Sequence, residues 1–482
     1  KNLNNRFKKR NTNTGDTMFL IPKIKKEISV SKDYKIKEIM VDKKKVYLIF
    51  NEVLCSTTMI NDFILDNLIQ LSKKELKQVE SALPDANIIP IEEKDIFSFV
   101  NQGFAVLVYK KIYAIEVRAI LDRGVTSVQS ELSITGPKDS FTENFNSNLG
   151  LIRRRIKTTK LESRDMEIGR YTKTRVAVLS MKGIVKDGLV EDVCRQLEKI
   201  NIDGIIDSSY LKSYLEGDHT LFPTVMMSER PDRASMALLE GKVVVITDLS
   251  PYALILPSFF LDYFHTVDDY YQKNSNTTFI RVIRVIAFFV AIFLPAIYIA
   301  VTTRNYDLVP YRLLLILKAG RTFVPFAAYI EALFMIIAFE ILKESDIRMS
   351  ATTGSAVSIL GGLILGDAAV SAGIVSPIMI IIIAISSIAA LIFPSNELVN
   401  AIRFYKIIIL LLSAFFGIYG VLVGAIFLFY KLLSMKSFQF SYLSPIIPFD
   451  KYEWRDSVIR KEDKIKRRNS YLTDNVVRGR NL

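Results

Sequence analysis

Apolar residues are spread unevenly along the chain, and their spacing divides it in two. From position 277 to 435 they run in long blocks broken by Gly, Pro and a few charges. A helix needs roughly 20 apolar residues to cross the hydrocarbon of a bilayer. The stretches 280–301, 323–342 and 407–429 each approach or exceed that, and 351–394 is longer but interrupted. A soluble domain has no need of so many such runs in series. The pattern predicts an all-α multispanning membrane domain over 280–435. Its spans are expected at 280–301, with Pro295 as a kink, at 322–342, within 351–394 and at 407–429, with 309–317 as a short interfacial piece.

Before position 270 charges occur throughout and the periodicities are those of a soluble α/β protein. Positions 45–50 (KVYLIF) and 105–109 (AVLVY) predict strands by β-branched and aromatic content. Positions 57–71 and 73–81 predict helices. Gly136-Pro137 marks a break. Ser140-Phe141-Thr142-Glu143 fits a capping box opening a helix over 141–155. That helix ends on Arg153, Arg154 and Arg155, which suit the negative pole of its dipole. A second unit follows, with strands at 175–181, 202–206 and 242–247 and an amphipathic helix at 189–200. The aromatic stretch 251–264 is too short to span and carries Pro257, so it is expected at the membrane surface.

These elements set the expected organisation. A disordered basic arm occupies 1–32, α/β subdomains 33–135 and 136–250, a membrane-surface linker 251–279, the helical membrane domain 280–435, and a short basic tail 436–482. The fold class is therefore an α/β cytoplasmic region of two subdomains followed by the membrane helices and tail.

Charge adds orientation. The formal charge is +13 over 482 residues, with Lys and Arg concentrated in the N-terminal part and the tail. Basic flanks stay on the cytoplasmic side, so both termini are expected there. That requires an even number of crossings, four or six. No secretory signal pattern opens the sequence, so the region before the first span is expected to remain untranslocated. Nucleic-acid binding is excluded as a reading, because the basic runs flank membrane segments and lack interleaved aromatics. Cys55 and Cys194 have no metal-ligand spacing, and Cys194 falls on an apolar stripe, as a reduced core thiol would. With two histidines, His219 and His265, and no phosphate-binding fingerprint, the sequence predicts neither an enzyme nor a cofactor or metal site.

The candidate chemistry is ionic. Glu331 is expected near the middle of a span, where a carboxylate turns toward the bundle interior or water. Asp367 follows the Gly362–Gly366 pair, and broken, small-residue segments with a carboxylate are a pattern of ion pathways. Glu340 completes the candidate pore or gating set. Gly362, Gly366, Gly417, Gly420 and Gly424 are candidate helix-packing positions. Arg153, Arg154, Arg155, Arg281 and Arg284 are candidate contacts to anionic lipid or an acidic partner. Glu229, Arg230 and Asp232, in a charged loop around Pro231, and Asp268 and Asp269, before the first span, are the remaining charged candidates.

In order along the chain stand Gly136-Pro137-Lys138-Asp139-Ser140-Phe141-Thr142-Glu143-Asn144, Arg153-Arg154-Arg155-Ile156, Ser228-Glu229-Arg230-Pro231-Asp232, Asp268-Asp269-Tyr270-Tyr271, Val324-Pro325-Phe326, Gly366-Asp367-Ala368-Ala369-Val370 and Tyr442-Leu443-Ser444-Pro445. As an ordered set they resemble the A subunits of GerA-type spore germinant receptors over nearly the whole length after Asp33. The family often has Thr at Ser228, commonly Gly at Leu249, and Glu-Ala-Gly where Glu344-Ser345-Asp346 stands. The resemblance implies a protein of the spore inner membrane that works with a transporter-like B subunit, thought to bind the nutrient, and a lipoprotein C subunit. It further implies a homo-oligomer forming a cation-conducting path, and a structural or coupling motif between soluble and membrane parts in Glu229, Arg230 and Asp232; Asp268 and Asp269 are further candidates for domain coupling. A paralogue encoded with dipicolinate-transport genes, a secondary transporter and a partner-holding scaffold are the alternatives.

Overall fold

The computed structural model describes residues 16–41, 44–70, 88–109, 111–119, 131, 134–216, 221–348, 362, 366–449, 453–460 and 472. The chain forms two compact units. One comprises Lys1–Asp218, Val225–Pro257 and Ile465–Leu482; the other comprises His219–Thr224 and Ser258–Lys464.

The first unit holds two five-stranded sheets. In the first, β1 (Tyr34–Val41), β2 (Lys44–Asn51), β3 (Ile88–Ile91), β4 (Phe104–Val108) and β5 (Ile112–Glu116) lie in the order β1-β2-β4-β5-β3, every pair antiparallel. Successive strand side chains point to opposite faces. Here both faces are covered, so β4 is apolar at every position. On one face, Ile49, Val106 and Ala114 meet Leu20, Ile21 and Ile24 of α1 (Asp16–Glu27) and Ile96 and Val100 of α2 (Ile96–Val100). On the other, Leu48, Leu107 and Ile115 meet Ile60, Ile64 and Leu68 of the helix over 57–70. Each such aliphatic side chain contributes about 2 kcal/mol on burial.

The second sheet repeats this wiring. Strands β6 (Leu161–Ile168), β7 (Thr174–Met181), β8 (Met226–Ser228), β9 (Val243–Thr247) and β10 (Ala253–Leu256) lie in the order β6-β7-β9-β10-β8, again all antiparallel. Helices α3 (Phe145–Arg155) and α5 (Pro231–Glu240) pack on each other and on β9. Helix α4 (Leu189–Glu198) packs on β7 beside the helix Ser208–Glu216. In both halves a helix precedes a strand pair, and the third strand in sequence ends at the far edge.

Several expectations change here. The arm over 1–32 is a helix from Asp16 on, because Leu20, Ile21 and Ile24 give it an apolar face for the first sheet. The capping box at Ser140 does not form. Phe141 is buried, its N–H donates to Glu229 O, and the helix opens at Asn144, whose side chain accepts from Ser147 N–H at 3.0 Å. Positions 202–206 form no strand. Segment 251–264 is no surface segment: Ala253–Leu256 is a buried strand between β9 and β8, and Phe260–Phe264 is a buried 3-10 turn. Cys55 is buried and its thiol is pushed up to about 12 by that burial. Cys194 is half-buried rather than in the core, and both thiols are free. The expected helix over 73–81, and His219, lie outside the described residues.

The second unit is helical. It contains α6 (Asn274–Thr303), α7 (Tyr311–Ala319), α8 (Ala328–Arg348), α9 (Pro377–Leu391), α10 (Asn396–Phe416) and α11 (Ile418–Ser434). Helix α6 is the hub, packing on α9, α10 and α11. Its Ile299 joins Ala332, Met335, Met379, Ile383 and Leu410 in one apolar core. Among the described residues two helices, α6 and α10, are long and apolar enough to cross a membrane; α9 and α11 are apolar but shorter.

The run 407–429 is not one span. Gly417 takes φ +63° and breaks it into two helices. A Cβ on Gly420 would overlap Leu412 O, and one on Gly424 would come within 2.8 Å of Ile409. As the later residue advances from 420 to 424, its neighbour retreats from 412 to 409, so α10 and α11 form a close antiparallel hairpin. Nor is the tail 436–482 merely a basic extension: Lys436–Ser437 pairs with Phe440–Ser441, and 453–460 is bonded to α6.

Candidate functional site

The polar groups of interest form four buried clusters, each made by side chains that an apolar pattern alone would not place. The first is the start of α5. Arg230 is its N-cap and Pro231 its first residue, a position where the missing N–H costs nothing. Arg230 Nη2 donates to Asp232 Oδ2 at 2.8 Å and to Pro137 O at 3.0 Å. Glu229 Oε1 accepts from Glu131 N–H at 2.8 Å, while Glu131 Oε2 accepts from Ser228 Oγ at 2.8 Å. Burial pushes the Glu131 carboxyl up, against the opposing pull of Arg233. The described partners of Glu229, Arg230 and Asp232 thus bind Glu131, Pro137 and Phe141 to the start of α5, inside the two-sheet unit.

The second cluster joins the two sheets. Arg153, 1% exposed, sends Nε to Asp33 Oδ2 at 2.8 Å, Nη2 to Asp33 Oδ1 at 3.0 Å and Nη1 to Leu161 O at 2.6 Å. It also lies over the Tyr34 ring. Its expected role as a lipid or partner contact is therefore corrected: the guanidinium is sealed against a carboxylate 120 residues away. Arg154 is exposed, and half-buried Arg155 is paired with Asp139.

The third cluster stands at the base of α6. Asp269 Oδ2 accepts from Arg284 Nη1 at 2.6 Å and Arg281 Nε at 3.3 Å. Arg281 Nη1 continues to Asp456 Oδ1 at 3.0 Å and Ser457 O at 3.1 Å. Burial raises the Asp269 carboxyl, but the Arg284 hydrogen bond and the Arg284 and Arg281 charges outweigh it, and the group is held low. Asp456 goes the other way, pushed up by burial. His265, its Nε2 2.6 Å from Ser457 O, is held well below the usual histidine range by burial and then by Arg281. Arg281 and Arg284 are thus corrected from lipid contacts to buried ion-pair members. Asp268, half-buried, opens the short helix Asp268–Tyr271.

The fourth cluster contains Glu331. Helix α8 starts at Ala328, so Glu331 sits in its first turn rather than mid-span. It is 1% exposed. Its Oε1 accepts from Arg321 Nη2 at 2.8 Å, and its Oε2 from Ser376 N–H at 3.1 Å and Ser376 Oγ at 3.0 Å. The expected pore-facing carboxylate is therefore a closed lock between the starts of α8 and α9. Glu340 pairs with Arg403 at 2.7 Å. Asp367 is exposed. Gly417, Gly420 and Gly424 do mark close approaches, whereas a Cβ at Gly362 or Gly366 would meet nothing within 4 Å among the described residues.

Sequence reasoning missed Asp33, Glu131, Arg321, Ser376 and Asp456. Only Arg321 carried a signal, as a cation ten residues from a carboxylate in an apolar stretch. Among the described residues no group of three or more His, Cys, Asp or Glu side chains is placed to hold a metal ion.

Comparison with known proteins places the chain in a lineage. Spore germination protein KA of Bacillus subtilis (strain 168) is 35% identical over 473 residues, covering 92% of this chain and 87% of its own. The uncharacterized membrane protein YfkQ of the same organism is 33% identical over 423 residues, covering 86% and 82%. A crystal structure of the N-terminal domain of the A subunit of the Bacillus megaterium spore germinant receptor GerK3 shares 27% identity at a TM-score of 0.40, covering 50% of this chain and 94% of that one. The family model for the Bacillus/Clostridium GerA spore germination protein matches residues 22–471. The chain belongs to the GerA family of spore germination proteins.

Proposed function

We propose that this chain is the membrane-embedded A subunit of a spore germinant receptor, located in the spore inner membrane with both termini cytoplasmic. It acts with a transporter-like B subunit and a lipoprotein C subunit, and copies of it assemble around a path for cations.

One observation carries the reading. The helical unit turns apolar side chains outward, among them Ile286, Ile337, Ile388, Leu422 and Ile426, while Glu331 and Asp269 are enclosed and paired. Exposed apolar surface of that extent needs lipid or partners to cover it. The Glu331–Ser376 contact brings the starts of α8 and α9 together. An even number of crossings, four or six, keeps both termini cytoplasmic.

With Glu331 locked and Glu340 paired with Arg403, exposed Asp367 is the candidate pore carboxylate left to serve a path between copies. The test is nutrient-triggered cation release from spores carrying Asp367→Asn, with protein level verified by immunoblot. Release is expected to fall about tenfold or more, as for other charged pathway residues. Unchanged release removes Asp367 from the path. A chain extracted from spore membranes by alkaline carbonate overturns the membrane reading itself.

A further inference from the structure

A second charged constellation lies between α8 and α10, and none of the roles above uses it. Glu340 and Lys343 are three residues apart on α8, and Arg403 and Lys406 are three apart on α10, so each pair shares one helix face. The helices pack on each other. Arg403 Nε lies 2.7 Å from Glu340 Oε1, but the N–H is not aligned with that oxygen and is buried without an acceptor. Lys406 sits in the field of Glu340, Arg403 and Lys343. It is 3% exposed and has no hydrogen bond or ion pair among the described residues. Half-buried Lys343 has none either, and feels Glu340 and exposed Glu344. Three cations therefore gather around Glu340, which is in contact with Arg403, while exposed Glu344 acts on Lys343. An excess of positive charge between apolar helices is costly, and the missing element is an anion.

We propose that Lys343, Arg403 and Lys406 form a binding site for a phosphate group between α8 and α10. Arg offers a planar fork that matches two oxygens of a phosphate, and the two ammonium groups add point charges from either helix. Arg403 lies in the first half of α10 and Lys406 at its midpoint, on the side of the bundle where α10 begins. Phe393, just before α10, packs on Phe264 at 5.1 Å, and Tyr405 stacks on Phe222 at 5.3 Å. On the proposed orientation this is the cytoplasmic end, where basic pockets between helices meet lipid headgroups. The proposal rests on the bundle being membrane-embedded. The phosphate comes from an anionic phospholipid or from free phosphate, and the experiment separates the two.

The full chain is reconstituted in phosphatidylcholine nanodiscs with or without phosphatidylglycerol. Lipid retained through mild delipidation is then read by native mass spectrometry. Wild type is expected to retain phosphatidylglycerol in preference to phosphatidylcholine. Lys406→Met should lower that preference about fivefold or more and Lys343→Gln by a smaller factor, while Lys406→Arg and the distant control Lys318→Met keep it. Inorganic phosphate added to phosphatidylcholine discs forms the second arm: a rise in thermal midpoint that Lys343→Gln abolishes assigns the site to free phosphate. The proposal is overturned if wild type shows neither lipid preference nor a phosphate response, or if both survive Lys343→Gln and Lys406→Met. Because Lys343 is half-buried, its variant decides the matter even where Lys406→Met fails to fold. A chain that enters discs without any such preference leaves the membrane reading standing; one that does not enter them defeats both.

Discussion

Buried arginine–carboxylate pairs occur in both units, and they serve different ends. In the two-sheet unit, Arg153 and Asp33 meet where sheets of identical wiring adjoin, and the pair links segments with separate apolar cores. In the helical unit, the pairs bracket apolar helices: Asp269 with Arg281 and Arg284 at the base of α6, and Glu331 with Arg321 at the start of α8. Sheets bury their backbone polar groups in ladders, so buried charge pairs are left to a seam, as with Arg153, or a helix start, as with Arg230. Apolar helices slide on one another easily, and a charge at one end sets their register.

If that contrast holds, the seam pair carries the larger penalty. Arg153→Met leaves Asp33 enclosed without the two hydrogen bonds that Arg153 donates to it, and should lower the stability of the two-sheet unit by about 3–5 kcal/mol, measured by chemical denaturation of the full chain in detergent. A loss below about 1 kcal/mol would mean that the sheets dock by apolar contact alone.

Glu331→Gln keeps the shape and the contacts to Ser376 but removes the charge facing Arg321, which is itself partly exposed. The expected loss is smaller, about 1–3 kcal/mol, read as a lower thermal midpoint of the helical unit. An unchanged midpoint would sink the idea that this carboxylate sets the α8–α9 register.

The smallest effect concerns acid. Asp269 is held below its ordinary value, so its contribution to stability is complete above the ordinary carboxylate range near 3.8 and fades as pH falls below it. Asp456, raised by burial, works in the opposite sense: protonation relieves it as pH falls. Asp269→Asn should therefore flatten the acid limb of the stability profile, while Asp456→Asn should not. Identical acid limbs in wild type and Asp269→Asn would remove Asp269 from that limb.

The same contrast explains what the residues revealed beforehand. Strands at 45–50, 105–109, 175–181 and 242–247 were readable because β-branched side chains must fill both faces of a covered sheet. The strand Ala253–Leu256 was not, since four apolar residues beside aromatics and Pro257 look alike at a membrane surface and in a sheet interior. The division of 407–429 at Gly417 hid inside a run that is apolar on both sides of the turn. Among the sites, the identity of the charged residues was legible and their partners were not. Arg153, Arg281 and Glu331 stand out in the sequence, but a pair with Asp33 or Asp456 depends on contacts made across more than a hundred residues.

Two copies of one wiring plan also pose a problem of self-recognition. Helix Asp16–Glu27 precedes β1 as Phe145–Arg155 precedes β6, so during folding each helix is offered two similar cradles. Misplaced, the second helix would carry its guanidinium away from Asp33, and the matching spot ahead of β6 is Lys160. One salt bridge thus works as an address label, penalising the exchanged arrangement by charge repulsion where shape alone would hardly tell the two apart.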